Sequence, residues 1–546
     1  MPAQPLNLFT RRQFLDRSAK LGLGVALSTL LDIPLIMKRA LAQGALGLNG
    51  KKLLFIFLRG ANDGLNSVVP ILDSAYAPNR PRIGIPADLI DYSQAGPCDF
   101  LTTGARPTFS ATDKAIRLGN GFAALHPSLR FLAPVYNAGD LALLHRVGYP
   151  NQSRSHFDSQ NFWESAAPNN SQVTDGVFYR TIMQSGLAQG SPLTGVSIQS
   201  ALPYCLRGSA AAMTNVVDPT RYNLLSIPDT TQANARLRNA IYASGQFPFA
   251  YKLDRSLLRL QYKNMTDTLA IFAGSDFTEA GNTFVDDANT DNDAPYYLFP
   301  TQDQKNGGAY LNGRAGDSTK YVVDPAAYSF FTNLKAAALV LNKTDAIIAG
   351  TECTGFDTHQ TQGGVLGSHA NLLRRLGWAM YALRKYFTNY GRGSHAPSSS
   401  AKVNWNDVIV ITLSEFGRTT VENSSAGTDH AEAGVMFVAG GNVNGYNKGS
   451  PHSGVLGCSP SDAFNGHAIP WATGPSGTLF AASGRYLQRA FDFRSVLGKT
   501  IRDHLGATQS QLNQIIPGYA VPGESLLAGG TSSVDGVPIF GEPPMV

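Results

Sequence analysis

The chain has 546 residues, and 44 Lys and Arg residues against 39 Asp and Glu residues give it a formal net charge of +5. Part of this excess lies in the first 42 residues, so the remainder is nearly neutral and a nucleic-acid partner is not expected. The four cysteines, Cys98, Cys205, Cys353 and Cys458, are widely spaced and form no CxxC or Cys/His cluster, which argues against a structural zinc knuckle.

The N-terminus has the pattern of a twin-arginine export signal. Residues Thr10–Leu15 read Thr-Arg-Arg-Gln-Phe-Leu, an apolar stretch follows over about 21–37, and Ala40–Ala42 is a small-x-small cleavage site. The stretch is too weakly hydrophobic for a stable membrane span. We predict a signal peptide over residues 1–42, cleaved before Gln43, with an uncleaved anchor as the alternative. The Tat translocase would then deliver the protein to the periplasm or the extracellular space.

Strand-like and helix-like patterns alternate along the rest of the chain. Apolar runs predict strands buried on both faces at Lys52–Leu58, Leu141–Val147, Asp345–Gly350, Val408–Leu413 and Gly434–Ala439. Helical patterns occur at Ser128–Tyr136, Ser155–Ser165, Asp254–Phe272, Tyr328–Leu341 and Ala370–Phe387. This alternation predicts one α/β domain over residues 43–516, with a mainly parallel central sheet and helices on both faces.

Two segments have the composition of peripheral structure. Residues 280–322 are rich in Asp, Asn, Gly and Thr and predict a polar insertion or long loop. Residues 517–546 are rich in Gly, Pro and Ser and predict a C-terminal tail on the surface. No later segment is apolar over the roughly 20 residues that a spanning helix needs, so the mature chain is predicted to hold no membrane span.

Polar side chains gather where the predicted strands end, which is where open α/β sheets bind ligands. The candidate metal ligands follow the first, third and fourth strands or directly precede the fifth: Asp63, Asp357, His359, Glu415, Asp429 and His430. Each of these residues alone is a common turn or loop residue. Carboxylates with imidazoles together suit Zn²⁺ or Mn²⁺, whereas carboxylates alone suit Mg²⁺ or Ca²⁺. The combination predicts a divalent metal site, with Zn²⁺ as the first choice.

Ser155 stands directly before a helical pattern at the end of the second strand. Its simplest interpretation is a helix N-cap, because Ser in this position satisfies free backbone amides. The amides and partial positive charge of a helix start also favour a bound anion such as phosphate or sulfate. The two interpretations are compatible, so Ser155 is both the predicted cap and the candidate nucleophile, with Ser153 second.

Five ordered blocks resemble a bacterial twin-arginine-exported family, domain of unknown function 1501, which is grouped with the alkaline phosphatase and sulfatase-like superfamily. The blocks are Phe57–Asn66, Ser153–Phe157, Phe356–His359, Ser414–Thr419 and Gly427–His430. The resemblance implies an alkaline phosphatase-like fold more firmly than an activity, because the family is itself uncharacterised. Superfamily enzymes combine one or two divalent metals with a Ser, Thr or modified Cys at a helix start.

The resemblance leaves the ligand pattern incomplete. Asp63 matches the superfamily's first Asp, and Asp357 with His359 matches its Asp/His loop, at a shorter spacing. If Ser414–Gly417 corresponds to the usual Asp-His-Gly, Glu415 replaces the Asp, Phe416 replaces the His, and His430 is the final His. Alternatively Asp429-His430 is the pair itself and the final His is missing. Either way one imidazole ligand is lost, and the absence of Cys at the helix start disfavours an ordinary arylsulfatase.

These patterns favour an exported metal-dependent hydrolase of phosphate or sulfate esters, or a related transferase, acting on a small anionic ester. The metal would act as Lewis acid and Ser155 would attack the ester. The candidates for binding the anion are Arg154, His156 and Arg418. The alternative is a degenerate, non-catalytic member that serves as an extracytoplasmic binding protein. A polysaccharide-active enzyme is a third hypothesis, but no carboxylates are marked as an acid/base pair.

Overall fold

The computed structural model describes residues 50–91, 114–170, 172–185, 194–209, 213–219, 285–290, 295–300, 325–344, 346–390, 403–471, 485–520 and 525–546. The predicted signal peptide, the predicted helix Asp254–Phe272 and Cys98 lie outside the described residues. Within them, no helix combines the length and the apolar character that crossing a membrane requires.

The strands of the described chain are β1 Lys52–Arg59, β2 Val68–Val69, β3 Leu89–Asp91, β4 Ala115–Arg117, β5 Ala124–Leu125, β6 Leu141–Gly148, β7 Gly195–Ile198, β8 Thr214–Val216, β9 Val285–Thr290, β10 Pro295–Tyr297, β11 Ile348–Thr354, β12 Val408–Leu413, β13 Gly434–Gly440, β14 Val455–Leu456, β15 Ala463–Phe464, β16 His467–Ala468, β17 Phe491–Asp492, β18 Gly529–Thr531 and β19 Pro538–Phe540. The α-helices are α1 Gly64–Ser67, α2 Tyr76–Asn79, α3 Ala133–Asn137, α4 His156–Ser165, α5 Val177–Ser185, α6 Tyr328–Lys343, α7 Ser368–Lys385, α8 Phe493–Lys499 and α9 Gln509–Ile515. A 3₁₀ helix, Pro127–Leu132, leads into α3.

Nine strands of the described chain form the central sheet, in the order β14-β6-β13-β12-β1-β11-β7-β8, with β17 paired to β6. Strand β1 is parallel to β11 and β12, and the sheet continues in parallel to β7 and β8. Strand β13 alone runs against its two neighbours, β12 and β6, among the strand pairs of this sheet in the described chain. The predicted mixed α/β fold with a mainly parallel sheet is therefore confirmed.

The residues of β1 show why the sheet is covered on both faces. Alternate side chains of a strand point to opposite sides, and every apolar side chain of β1 is buried. One set packs into the core beneath α6 and α7, namely Leu54, Ile56 and Leu58. The other set packs into the core beneath α5, α8 and α9, namely Leu53, Phe55 and Phe57. A continuous apolar run is what a strand between two helical layers requires.

The C-terminal segment is not the surface tail that its composition predicts. Ile539, Phe540 and Met545 are fully buried in the second core, and β18 and β19 form an antiparallel hairpin. The backbone N–H of Asn444 donates to the carbonyl oxygen of Met545 at 2.8 Å. The prediction was wrong because a few apolar side chains, spaced among Gly and Pro, are enough to anchor the segment.

The described part of the predicted polar insertion also reaches the core. Strands β9 and β10 pair in an antiparallel hairpin, and Leu298 and Phe299 directly after it are buried. The indole N–H of Trp378 on α7 donates to the carbonyl oxygen of Leu298 at 2.9 Å. The insertion is thus tied to the same layer of helices that covers the sheet.

Four fully buried histidines make the fold sensitive to acid: His126, His145, His369 and His504. Burial disfavours the imidazolium and lowers the pKa of His126 and His145 to about 3, and that of His369 and His504 to about 4. Because these folded-state pKa values lie below the unfolded value of about 6.5, stability is full above pH 6.5 and is lost as pH falls toward 3–4. We expect each of these histidines to lower the free energy of unfolding by about 1 kcal/mol when the pH falls from 7 to 5.5.

Chemical denaturation of the metal-free protein at pH 7.0, 6.2 and 5.5, with chelator present, measures this loss. Replacing His504 with Gln should lower the slope of the free energy of unfolding against pH by the contribution of about one proton. A free energy of unfolding that stays constant over this range would contradict the prediction.

Candidate functional site

Four side chains from three loops converge at one edge of the central sheet. Asp357 and His359 follow β11, His430 lies just before β13, and His156 is the first residue of α4, beyond the end of β6. Strands β6, β11 and β12 all end at this edge, and the antiparallel β13 begins there. The direction of β13 is therefore what brings His430 to residues that follow the other strands.

The distances within this cluster are those of a metal-ligand shell. The Oδ1 atom of Asp357 lies 3.6 Å from Nε2 of His156, 3.2 Å from Nε2 of His359 and 3.4 Å from Nε2 of His430. The two Nε2 atoms of His359 and His430 are 2.9 Å apart. Ligand bonds of about 2.0–2.1 Å in tetrahedral geometry separate neighbouring ligand atoms by about 3.3–3.4 Å. The cluster could hold one small divalent cation.

An oxygen behind each imidazole sets the direction of its ring. Nδ1 faces Glu415 Oε1 at 3.4 Å in His156, Asp429 Oδ1 at 3.4 Å in His359, and the carbonyl oxygen of Arg154 at 2.8 Å in His430. If each Nδ1 donates to its oxygen, Nε2 of that ring is left to bind a cation, and all three Nε2 atoms lie on the side of Asp357. The Nε2 atom of His156 is buried without a hydrogen-bond partner. With all three Nε2 atoms unprotonated, four electron-rich atoms would face one another, and a cation among them would stabilise that arrangement.

Glu415 supports the cluster from behind. Its side chain is fully buried, and its two oxygens accept from the backbone N–H groups of Gly60 and Ala61 at 2.8 and 3.0 Å and from Gln160 at 2.7 Å. Burial raises the pKa of Glu415, but the hydrogen bonds from His156 and Gly60 outweigh it, so the pKa is below its usual value. The predicted metal ligand Glu415 therefore lies behind His156 and orients it.

Asp429 holds a similar position behind His359. Its Oδ1 atom accepts from the side-chain amide of Asn423 at 2.9 Å, and its Oδ2 atom accepts from Arg485 at 2.6 Å. The hydrogen bond from Asn423, together with that from Arg485, lowers the pKa of Asp429 although burial opposes this. Carboxylates behind ligating histidines fix the ring and its tautomer in known metal sites. Asp429, also predicted as a ligand, has the geometry of such a supporting group.

Asp63 lies outside the cluster. Its Oδ2 atom accepts from Arg80 at 2.6 Å and from Gln362 at 2.7 Å, and the side chains of Asp63 and Arg80 are both 0% exposed. Burial raises the pKa of Asp63, but the charge of Arg80 outweighs this effect and the pKa is lowered. The prediction of Asp63 as a ligand does not fit this structure, because its carboxylate neutralises a buried arginine.

Arg418 is not available to bind an anion either. It is 1% exposed, and its guanidinium donates to Asp357 Oδ1 at 2.6 Å and to several backbone carbonyl oxygens. These partners all lie within the protein, so the geometry does not favour the predicted role of Arg418 in substrate binding. Arg154 is exposed, with its guanidinium 4.4 Å from the centre of the Tyr486 ring, so it remains free to meet a ligand from solvent.

The two candidate nucleophiles lie beside the cluster. Ser155 is the N-cap of α4, and its hydroxyl accepts from the backbone N–H of Asp158 at 3.5 Å, as predicted for a cap. The hydroxyl of Ser153 accepts from the backbone N–H of Ser155 at 3.2 Å. Ser155 stands between Arg154, whose carbonyl oxygen holds His430, and the ligand candidate His156. Neither role in catalysis is tested by this arrangement.

Phe416 fills the place where the resemblance implies a histidine. It is 1% exposed, and its ring centre lies 4.9 Å from that of His156 and 4.7 Å from that of His430. His156 brings a third imidazole into the cluster, from a different loop. The sequence predicted that His156 binds the substrate anion, because no spacing pattern connects this residue with Asp357 or His430. Its position after the end of a strand was the only feature of the sequence that indicated a place in the site.

A known family matches part of the chain. It is described as Protein of unknown function (DUF1501), and the match spans residues 312–449. This segment includes Asp357, His359 and His430 but not His156, and the match supports the resemblance to domain of unknown function 1501. No curated protein and no solved structure matches the chain. The family description names no activity, so a functional assignment has to come from the geometry of the site.

Proposed function

We propose that the protein is a metal-dependent hydrolase whose ligands are His156, Asp357, His359 and His430. The observation that carries this proposal is the convergence of three Nε2 atoms within 3.6 Å of one carboxylate oxygen. Three imidazoles and one carboxylate favour Zn²⁺, with Mn²⁺ next; Mg²⁺ and Ca²⁺ prefer all-oxygen shells. A bound divalent ion would act as a Lewis acid toward an ester oxygen and lower the pKa of a hydroxyl beside it.

Within the described chain, the cluster is most exposed on the side of Asp357 and His359. The side chains of Asp357 and His359 are 45% and 43% exposed, whereas Phe416 and Glu415 are buried behind the rings. A substrate would therefore approach over Asp357 and His359, and water would be excluded from the opposite face. Glu415 and Asp429 would keep His156 and His359 in the orientation that ligation needs.

The substrate class proposed is a phosphate or sulfate ester, with a related transfer reaction as a variant. Ser155 caps a ten-residue helix, whose free amides and partial positive charge stabilise an anion and a developing alkoxide. Arg154, one residue before Ser155, adds an exposed positive charge at the rim of the site. The alkaline phosphatase-like fold, Tat export and extracytoplasmic location belong to the same proposal and rest on the sequence motifs.

The first test is elemental mass spectrometry of the mature protein purified without chelator, followed by assays with aryl phosphates and aryl sulfates. We expect about one equivalent of zinc or manganese and measurable hydrolysis of at least one ester class. Protein that binds no divalent metal, even after supplementation, would overturn the hydrolase proposal and favour the binding-protein alternative.

The role of Ser155 is tested with two variants that separate the nucleophile from the helix cap. Ser155→Ala removes both, whereas Ser155→Asn keeps a capping side chain and removes the hydroxyl. We expect both to lower kcat by about 10³-fold or more, with a loss of about 1 kcal/mol of stability in Ser155→Ala alone. Ser153→Ala tests the second candidate and should retain activity if Ser155 is the nucleophile. Full activity in Ser155→Asn would show that Ser155 is not the nucleophile.

A further inference from the structure

The guanidinium of Arg418 joins three loops of the site. It donates to the carbonyl oxygens of Gly60, Ala61 at 2.9 Å, Phe356 at 3.2 Å and Thr428 at 3.1 Å, and to the carboxylate of Asp357 at 2.6 Å. These acceptors lie after β1, after β11 and before β13. The backbone of Arg418 also pairs with that of His430 in an isolated antiparallel bridge. A single buried side chain thus contacts every loop of the cluster except the one that starts α4.

The loop after β1 connects Arg418 to the remaining ligand. Gly60 and Ala61 have φ angles of 107° and 68°, both in the left-handed region. Their carbonyl oxygens accept from Arg418, whereas their N–H groups donate to the two oxygens of Glu415. Successive N–H groups that turn toward one anion form a strong carboxylate site. Glu415 in turn orients His156, so this chain of contacts runs from Arg418 to the fourth loop.

The conformation of this loop is costly without such contacts. A left-handed φ at Ala61 is unfavourable for a residue with a Cβ atom. At Gly60 a Cβ atom would lie 2.4 Å from the backbone nitrogen of Asp357, so the two loops touch through their backbones. Hydrogen bonds from Arg418 to both carbonyl oxygens stabilise this arrangement, and they do so on the side opposite Glu415.

We propose that Arg418 is a positioning residue of the metal site. It holds Asp357 directly, and it holds His156 through the loop after β1 and Glu415. This inference rests on the proposed metal site but assigns Arg418 no contact with metal or substrate. Lysine cannot replace it, because one ammonium group has three donors at a single point whereas the guanidinium has five donors in a planar fork.

The test compares Arg418→Lys with Arg146→Lys. Arg146 is an equally buried arginine that donates to the carbonyl oxygens of Gly457 and Ile469, both at 2.7 Å, and has no contact with the cluster among the described hydrogen bonds. Both variants should lose thermal stability. We expect only Arg418→Lys to weaken zinc binding, by about 10–100-fold in a competition titration with a chelator, which is the effect of removing a group behind a metal ligand.

Four outcomes are decisive. Unchanged zinc affinity in folded Arg418→Lys would overturn the positioning role, and equal weakening in Arg146→Lys would show that general destabilisation is the cause. Wild-type protein that binds no zinc would instead contradict the proposed metal site. This result differs from failure of the positioning role alone, in which the wild-type protein still binds zinc.

If Arg418→Lys does not fold, amide exchange of the wild-type protein tests the positioning role. Residues 60–62 hold no ligand, and their exchange should slow on zinc binding; unaltered exchange would contradict the proposal.

Discussion

Asp357→Ala is expected to abolish stoichiometric zinc binding in a protein that stays folded. Asp357 contributes the one carboxylate of the cluster, and its Oδ1 atom lies within 3.6 Å of all three Nε2 atoms. Removing a group behind a ligand typically costs 10–100-fold in affinity, so removing the ligand itself should cost more than about 100-fold. The three imidazoles would remain, but without a negative charge to offset that of the cation.

The fold should tolerate this change because the Asp357 side chain is 45% exposed and its partner Arg418 keeps its carbonyl acceptors. Because the buried Arg418 loses its carboxylate partner, we expect the free energy of unfolding of the metal-free protein to fall by about 1–3 kcal/mol, which is less than unfolding the protein requires. Asp158→Ala is the matched control, since Asp158 is an exposed carboxylate in the first turn of α4, two residues from His156. Elemental analysis and chelator titration measure the metal. Retention of a full equivalent by Asp357→Ala would exclude this cluster as the site.

Asp63→Asn is expected to have the opposite effect: a large loss of stability with zinc binding retained. The side chains of Asp63 and Arg80 are both 0% exposed and lie 2.6 Å apart. Removing one partner of a buried ion pair leaves an uncompensated charge, which typically costs about 3–5 kcal/mol. Asparagine keeps the shape of the side chain, so the loss would come from the missing charge and not from a cavity.

Urea denaturation of metal-free protein measures this effect, and Asp88→Asn is the control because Asp88 forms an exposed pair with Lys114 and should change stability by less than about 0.5 kcal/mol. Adding Arg80→Met to Asp63→Asn removes the uncompensated charge and should recover part of the loss. Normal stability together with lost zinc in Asp63→Asn would restore Asp63 as a ligand, as the resemblance implied, and would contradict the structural assignment.

Much of the fold could be predicted because it depends on local patterns. The apolar runs placed β1, β6, β12 and β13 within one or two residues, and β11 begins at Ile348, three residues after the predicted start. The helical patterns likewise located α4, α6 and α7, and Ser155 is the predicted cap. Burial of a strand between two layers imposes its composition along the chain, so a single sequence records it.

The candidate site could be predicted only in part, for a physical reason that its residues illustrate. Strand ends indicated that Asp357, His359 and His430 lie at one edge of the sheet, and the structure places them side by side there. Whether a carboxylate faces the centre of the site depends on partners distant in sequence: Asp63 faces Arg80, and Glu415 faces the amides of Gly60 and Ala61.

The sequence by itself thus determined the layered α/β fold, the edge at which polar residues collect and the cap of α4. The tertiary structure decided the rest: the antiparallel direction of β13, the burial of the C-terminal segment and the convergence of His156 with Asp357. Local periodicity follows from which side chains are buried, and residues near one another in the chain share that property. The direction of a polar side chain is set by hydrogen bonds and charges that meet only after the chain has folded.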